Sequence, residues 1–345
     1  MSRLERTGGI LAAQALTTGY RGRGGEGCPI SESLTLEAHP GELIGLVGAN
    51  GCGKTTLLRT LAGLLRPLAG EVTVEGQRID SILPRDRARL VSVVVTERSV
   101  PGMLSVQELV ALGRHPYSGW LGRSSARDVK RVHEVMQQMG IAHLSARNAA
   151  SLSDGELQKA LIARAIAQDA SLVLLDEPSA FLDVVNRLEV TTLLSHMLQA
   201  ERRAVIMSTH DIESALSVCD RIWAMAPDGS VTDGAPEDHI LRGTLAQLFA
   251  SPHTRFDPVR GTFRRIEEVR GSIRVQPQHA ASGNDMVWVR HALERAGYIE
   301  SDKAALALHV DGGEAHEMPD VRLVFRLATP GGAARVYASV HELVK

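Results

Sequence analysis

The chain is poor in the features that mark secreted, membrane-spanning or nucleic-acid-binding proteins. Three cysteines, Cys28, Cys52 and Cys219, are scattered along 345 residues. None has a neighbour at metal-ligand spacing, and so few thiols exclude a disulfide framework; the pattern fits a reducing cytosol. There is no excess of charge: 38 Lys and Arg against 40 Asp and Glu leave a formal net charge of −2. That balance supplies no basic field, so no nucleic-acid partner is expected. No stretch approaches the roughly 18 apolar residues that span a bilayer. Ile10–Ala13 opens an apolar run, Gln14 closes it, and no signal-peptide core is present. The expectation is a soluble chain whose membrane role, if any, is borrowed from a partner. The length allows one large or two moderate domains, and 44 % hydrophobic with 23 % charged residues is ordinary for a globular protein.

What is present is a phosphate-binding pattern. Gly48-Ala49-Asn50-Gly51-Cys52-Gly53-Lys54-Thr55-Thr56 follows apolar Leu43–Val47 and precedes Leu57–Leu61, which reads as strand, tight loop, helix. Gly48, Gly51 and Gly53 remove Cβ atoms, so that successive backbone N–H groups, Asn50 among them, curl around phosphate oxygens. The helix opening at Lys54, Thr55 and Thr56 adds unsatisfied N–H groups and the positive end of its dipole. In this pattern Lys54 reaches the β- and γ-phosphates and Thr55 holds Mg²⁺. The chain is read as one that binds a nucleotide.

Two further segments extend the site. Leu172–Leu175 is a short apolar run, suited to a strand buried on both faces, and Asp176-Glu177-Pro178 ends it. Asp176 then emerges where α/β sheets place ligands and would support Mg²⁺, with Glu177 the candidate general base on a water. Between them lies Ser151–Lys159, where Ser153 and Glu156 have capping-box spacing at the head of a helix. That helix is either simply well capped, or its N-terminus with Ser153 and Gly155 faces a phosphate held by a second chain.

Gly48–Thr56, Leu152–Glu156 and Leu172–Pro178 together resemble, in order and spacing, the Walker A, signature and Walker B motifs of ABC-transporter ATPase subunits. Ala180-Phe181-Leu182-Asp183 resembles the D-loop, although Asp183 is also a candidate cap for the helix that follows. Ser208-Thr209-His210-Asp211 resembles the switch-histidine segment, and Tyr20 the aromatic that stacks on adenine. The resemblance covers about residues 12–250. It implies a P-loop α/β core with an N-terminal antiparallel β region and a helical insert over about 98–155. It also implies ATP and Mg²⁺ as ligands, hydrolysis with Glu177 and His210 as catalytic residues, and a head-to-tail homodimer in the ATP-bound state. Walker A of one chain then faces Ser153, Gly155 and Asp183 of the other. The implied partners are integral-membrane permease subunits and, indirectly, an extracytoplasmic solute-binding protein, which places the chain on the inner face of the plasma membrane.

The chain departs from the family twice. Asp154 and Glu156 alter the usual Leu-Ser-Gly-Gly-Gln signature, and these carboxylates are expected to point away from the phosphate. The Q-loop glutamine is missing after Val91–Val95; Thr96 or Glu97 stands in its place as a metal-side candidate. Glu108–Gly122, the neighbourhood where a permease helix would dock, looks most like ATPases that power uptake of ferric siderophore, haem or cobalamin. An exporter subunit, a slowly turning regulatory subunit and a non-transport ABC clamp stay open as alternatives. Residues 251–345 exceed the usual ATPase length and read as a small α+β extension of unknown role, with a helix near Val287–Ala296, a strand at Val321–Leu327 and turns at Asp311–Gly313 and Thr329–Gly332. His309 and His316 alone do not make a metal site.

Overall fold

The computed structural model describes residues 9–22, 25–95, 102–118, 124–178, 182–252, 254–258, 260–265, 268–278, 283–312, 323–329 and 334–344. The chain divides into two compact units, Met1–Ala250 with Phe256–Phe263, and Ser251–Arg255 with Arg264–Lys345. The first begins with β1 (Leu11–Arg21), β2 (Gly27–Ala38), β3 (Leu43–Gly48), α1 (Lys54–Leu61), β4 (Ala69–Val74), β5 (Gln77–Arg78), α2 (Pro84–Leu90) and β6 (Val91–Val94). It continues through α3 (Val106–Ala111), α4 (Ala126–Gln138), α5 (Asp154–Ala167), β7 (Leu172–Asp176), α6 (Val184–Glu201), β8 (Ala204–Thr209), α7 (Ile212–Val218), β9 (Arg221–Met225) and β10 (Val231–Gly234). Two short helices, α8 (Pro236–Leu241) and α9 (Thr244–Leu248), close it.

Its strands form two sheets. One is antiparallel, in the order β2-β1-β4-β5; the other runs β10-β9-β3-β8-β7-β6, with only β10 antiparallel. Strands β3, β7 and β8 are buried along their whole length, which is why their apolar residues come in runs, Leu172–Leu175 and Ala204–Met207 among them, and not in alternation. Their two faces feed two cores. Ile44, Leu46, Leu172, Leu174, Ala204 and Ile206 pack with Leu57, Leu58 and Leu61 of α1 and with the antiparallel sheet. Leu43, Val47, Val173, Leu175, Val205 and Met207 pack in the core that holds the insert's Val106, Leu109, Val132, Val135, Met136 and Ile162. The result is the α/β P-loop architecture expected from the sequence.

The insert is built from α3, α4 and α5, and each starts with a complete capping box: Ser105 with Glu108, Ser125 with Asp128, and Ser153 with Glu156. A buried charge network joins them. Arg114 donates from Nε to Asp128 Oδ1 at 2.8 Å and from Nη1 to Asp169 Oδ2 at 2.5 Å, and its guanidinium lies 4.1 Å from the centre of the Tyr117 ring. Arg131 and Arg203 close on the second Asp169 oxygen at 2.8 and 2.7 Å. Part of the Leu112–Tyr117 segment is therefore an internal brace; Gly119 and Trp120 lie outside the described residues.

In the second unit, β11 (Thr254–Asp257) and β12 (Thr262–Arg265), whose inner residues Phe256–Phe263 belong to the first unit, precede β13 (Gly271–Pro277), α10 (Gly283–Arg295) and β14 (Tyr298–Glu300). β15 (Leu306–Gly312), β16 (Leu323–Ala328), β17 (Arg335–Tyr337) and α11 (Val340–Val344) follow. The last five strands form a mixed sheet, β14-β13-β15-β16-β17, in which β13 lies parallel to β14 and β15. Met286, Val289 and Leu293 of α10 cover Ile273, Val275, Leu308, Val310 and Phe325. Of the turn expected at Asp311–Gly313, Asp311 and Gly312 instead pair with Val324 and Leu323 in the ladder, and Gly313 lies outside the described residues.

Candidate functional site

The three central parallel strands deliver their C-terminal ends to one place. At the end of β3 the loop turns through Gly51 and Gly53, with φ of 81° and 111°. A Cβ on Gly53 would sit 2.4 Å from Ile30 Cγ2, and one on Gly48 2.5 Å from the Met225 carbonyl oxygen, so the loop's shape needs glycine at both. Gly53 is also the N-cap of α1 and offers no side chain to its open N–H groups. Lys54 is buried, and its Nζ donates to the carbonyl oxygens of Gly48 at 2.9 Å and Ala49 at 3.0 Å. The lysine thus rests folded over its own loop. Tyr20, half exposed at the end of β1, reaches the same helix start, its hydroxyl 3.1 Å from Thr56 Oγ1.

Thr55 meets the end of β7. Its hydroxyl lies 3.2 and 3.0 Å from the two carboxylate oxygens of Asp176, which is buried. Two hard oxygen donors at a phosphate loop are the donor set that suits Mg²⁺. Ser208, paired with Asp176 across the β7–β8 ladder, donates to Asp176 Oδ1 at 2.7 Å and accepts the Glu177 N–H at 2.8 Å. Glu177 has φ of 49°, a left-handed turn that few residues with a Cβ adopt. The His210 ring, from the segment after β8, lies with Nδ1 3.7 Å from Glu177 Oε2. Next to it, burial works against the Asp211 carboxylate, but the Ser214 hydroxyl and Arg187 hold it below the usual range, and it caps α7.

The remaining sequence-predicted residues are placed as follows. Ser153 Oγ accepts the Glu156 N–H at 3.3 Å, and Glu156 Oε2 accepts both the Ser153 N–H and its hydroxyl. The Ser153 amide, then its hydroxyl, keep the Glu156 carboxyl below its ordinary value, so this acid is turned back onto the cap. Gly155 sits in the first turn of α5, where a Cβ would make ordinary contact with Leu182. Asp183 caps α6, accepting the Asn186 N–H at 2.7 Å. Among the described residues no hydrogen bond links Ser153 or Gly155 to residues 48–56. Thr96 and Glu97 lie outside the described residues, as do Ala180 and Phe181. Ser208 is the site residue that sequence reasoning passed over, although it is quoted in the switch segment. The only signal was a lone hydroxyl residue in the otherwise apolar parity Ala204, Ile206, Ser208.

This constellation of loop, lysine, paired strand-end acids and histidine matches a known family. Residues 31–180 fit the ABC transporter family model. The petrobactin import ATP-binding protein of Bacillus anthracis is 34 % identical over 272 residues, covering 78 % of this chain and 98 % of that protein. The chain belongs to the ABC transporter ATP-binding family. The ferric enterobactin transport ATP-binding protein of Escherichia coli is 33 % identical over 253 residues, 73 % of this chain and 92 % of its own. Among solved structures, an ABC transporter chain in an inward-facing conformation superposes with a TM-score of 0.61 at 26 % identity, covering 74 % of this chain and 95 % of that one. The protein is thus an ABC ATP-binding protein, and its nucleotide is ATP. Among the described residues, no helix is long and apolar enough to cross a membrane.

Proposed function

We propose that this subunit hydrolyses ATP to energise uptake of an iron chelate, ferric siderophore foremost, through a membrane permease. The observation that carries the reading is the convergence of Lys54, Thr55, Asp176, Glu177 and His210 at the C-terminal ends of adjacent parallel strands. The importer direction is supported by the names of the relatives. Residues 12–250 act as the ATPase domain and residues 251–345 as an extension. Lys54 exchanges its two carbonyl partners for the β- and γ-phosphates, which the backbone N–H groups of Gly48, Asn50, Gly51, Gly53 and Thr56 surround, while Tyr20 swings from Thr56 to stack on adenine. Thr55 and Asp176 would hold Mg²⁺, which would supply neutralisation of phosphate charge, with Thr96 or Glu97 as further candidate ligands.

Two chains close head to tail, so that the N-terminus of α5, with Ser153 and Gly155, and Asp183 of the other chain complete each site. Glu177 then takes a proton from the attacking water as the water oxygen bonds the γ-phosphorus and the bond to the ADP oxygen breaks; His210 contacts the γ-phosphate. Closure and reopening drive permease subunits between outward and inward states, with the solute-binding protein delivering cargo from outside and the ATPase on the inner membrane face. The test is uptake of labelled ferric siderophore, haem and cobalamin by cells lacking the gene. Restoration of one ligand by the unaltered chain and not by Glu177→Gln is expected, and purified Glu177→Gln should bind ATP and persist as a dimer. Unchanged uptake of all three overturns the importer reading, and a monomer with bound ATP overturns the sandwich.

A further inference from the structure

The strand that separates β3 from β7 carries, one position before its end, a residue with no assigned part. Ser208 is fully buried, and its register opposite both Leu46 of β3 and Asp176 of β7 puts it at the centre of the sheet's business end. Alternation along β8 gives it the face of Ala204 and Ile206, which pack against the α1 side. There the core ends and the polar site begins. Its single hydroxyl makes two bonds of opposite sense: the oxygen accepts the Glu177 N–H at 2.8 Å and the proton goes to Asp176 Oδ1 at 2.7 Å.

Both bonds act at a strained turn. Glu177 leaves β7 in a left-handed conformation that its Cβ disfavours, and such a turn persists only if its surroundings hold it. The Glu177 N–H bond to Ser208 fixes the direction in which the carboxylate departs, toward His210. The Asp176 bond meanwhile fixes one carboxylate oxygen that Thr55 also uses. We propose that Ser208 is a positioning residue for hydrolysis, aligning the carboxylate of Glu177 on its water and that of Asp176 on the metal side through one buried hydroxyl. This rests on the hydrolysis reading above. Ser208 itself touches no reacting atom; it limits the orientations from which Glu177 takes the proton, and misplacement by about 1 Å at such a group costs on the order of 100-fold in rate.

The test compares Ser208→Thr with Ser208→Val in the full chain, because the two side chains have the same bulk and differ by hydroxyl against methyl. The expected result is ATP turnover within about 3-fold of the unaltered chain for Thr, and a fall of about 10- to 100-fold in kcat for Val with KM moving less than about 3-fold. On a Glu177→Gln background Val should lower the residual rate by a smaller factor than in the unaltered chain, since the part of its effect that passes through the Glu177 carboxylate is already gone. Amide exchange at Glu177 should accelerate in Val and stay protected in Thr. Ser208→Ala, which adds no bulk, repeats the Val arm if the buried site rejects a branched side chain. Equal turnover in Val and Thr, or a parallel loss of turnover and ATP binding in Val, overturns the proposal. Absence of turnover in the unaltered chain refutes the hydrolysis reading instead; the amide exchange then decides alone, and equal protection in Thr and Val overturns the positioning role.

Discussion

Gly53 and Glu177 both turn through positive φ, at 111° and 49°, yet the chain solves the two left-handed turns differently. Gly53 has no Cβ to place, whereas Glu177 carries a full side chain and its backbone N–H is held by Ser208. The thiols show a similar sorting. Cys219 lies in the core, where burial, aided by Asp220, pushes its thiol up to about 12, while Cys28 is exposed. Only the thiolate is nucleophilic. Maleimide at pH 7 should therefore label Cys28 quickly and leave Cys219 unreacted until the chain is denatured, as read by mass spectrometry of the tryptic peptides. Rapid labelling of Cys219 in the native protein would contradict its placement against Gly45 and Ala215, beneath β3.

Helix α4 and the ends of α5 and α6 are tied by the Arg114 network, which gives the insert an internal charge where a packed core would otherwise be apolar. Removing Arg114 leaves the buried Asp128 without its arginine, while Asp169 keeps Arg131 and Arg203. Arg114→Ala should destabilise the chain by about 3–5 kcal/mol, seen as a lower denaturation midpoint in urea. Asp128 is pulled down to about 2 by the Ser125 hydroxyl and by Arg114, against the opposing effect of burial. A folded-state value below the unfolded one contributes stability that is whole above about pH 4 and is lost as pH falls toward 2. Thermal melts between pH 4.5 and 2.5 should accordingly fall more steeply in the unaltered chain than in Asp128→Asn. At this scale the sequence spoke clearly about contiguous signals. The strand–loop–helix of Gly48–Thr56, the apolar run before Asp176 and the capping box at Ser153 depend on neighbours within a few residues. What it could not disclose depends on register and distance: Arg114 meets Asp169 from 55 residues away, and Ser208 meets Asp176 from 32. Near α10, a helix expected from the sequence, strand β13 stayed hidden, because Gly271–Pro277 alternates with arginine and glutamine and lacks a long apolar run.

Over the whole molecule, the first unit reclaims Phe256–Phe263 after the chain has already left it at Ser251. Phe263 packs on Phe249 at 5.4 Å and on Phe256 at 5.0 Å between ring centres, and Phe256 is buried in the first unit's core. A chain stopped after residue 263 should therefore fold and bind ATP, whereas one stopped after residue 250 should melt several degrees lower, since burying a phenylalanine side chain is worth about 1.5–3 kcal/mol. Equal melting temperatures for the two truncations would refute the assignment of these aromatics to the first core. For the gene, the junction between the two units is interleaved over a dozen codons. A recombination event, a split-protein site or an inserted tag placed at codon 251 would carry off residues on which the first unit depends. The tail can be gained or shed as a cassette only beyond codon 263.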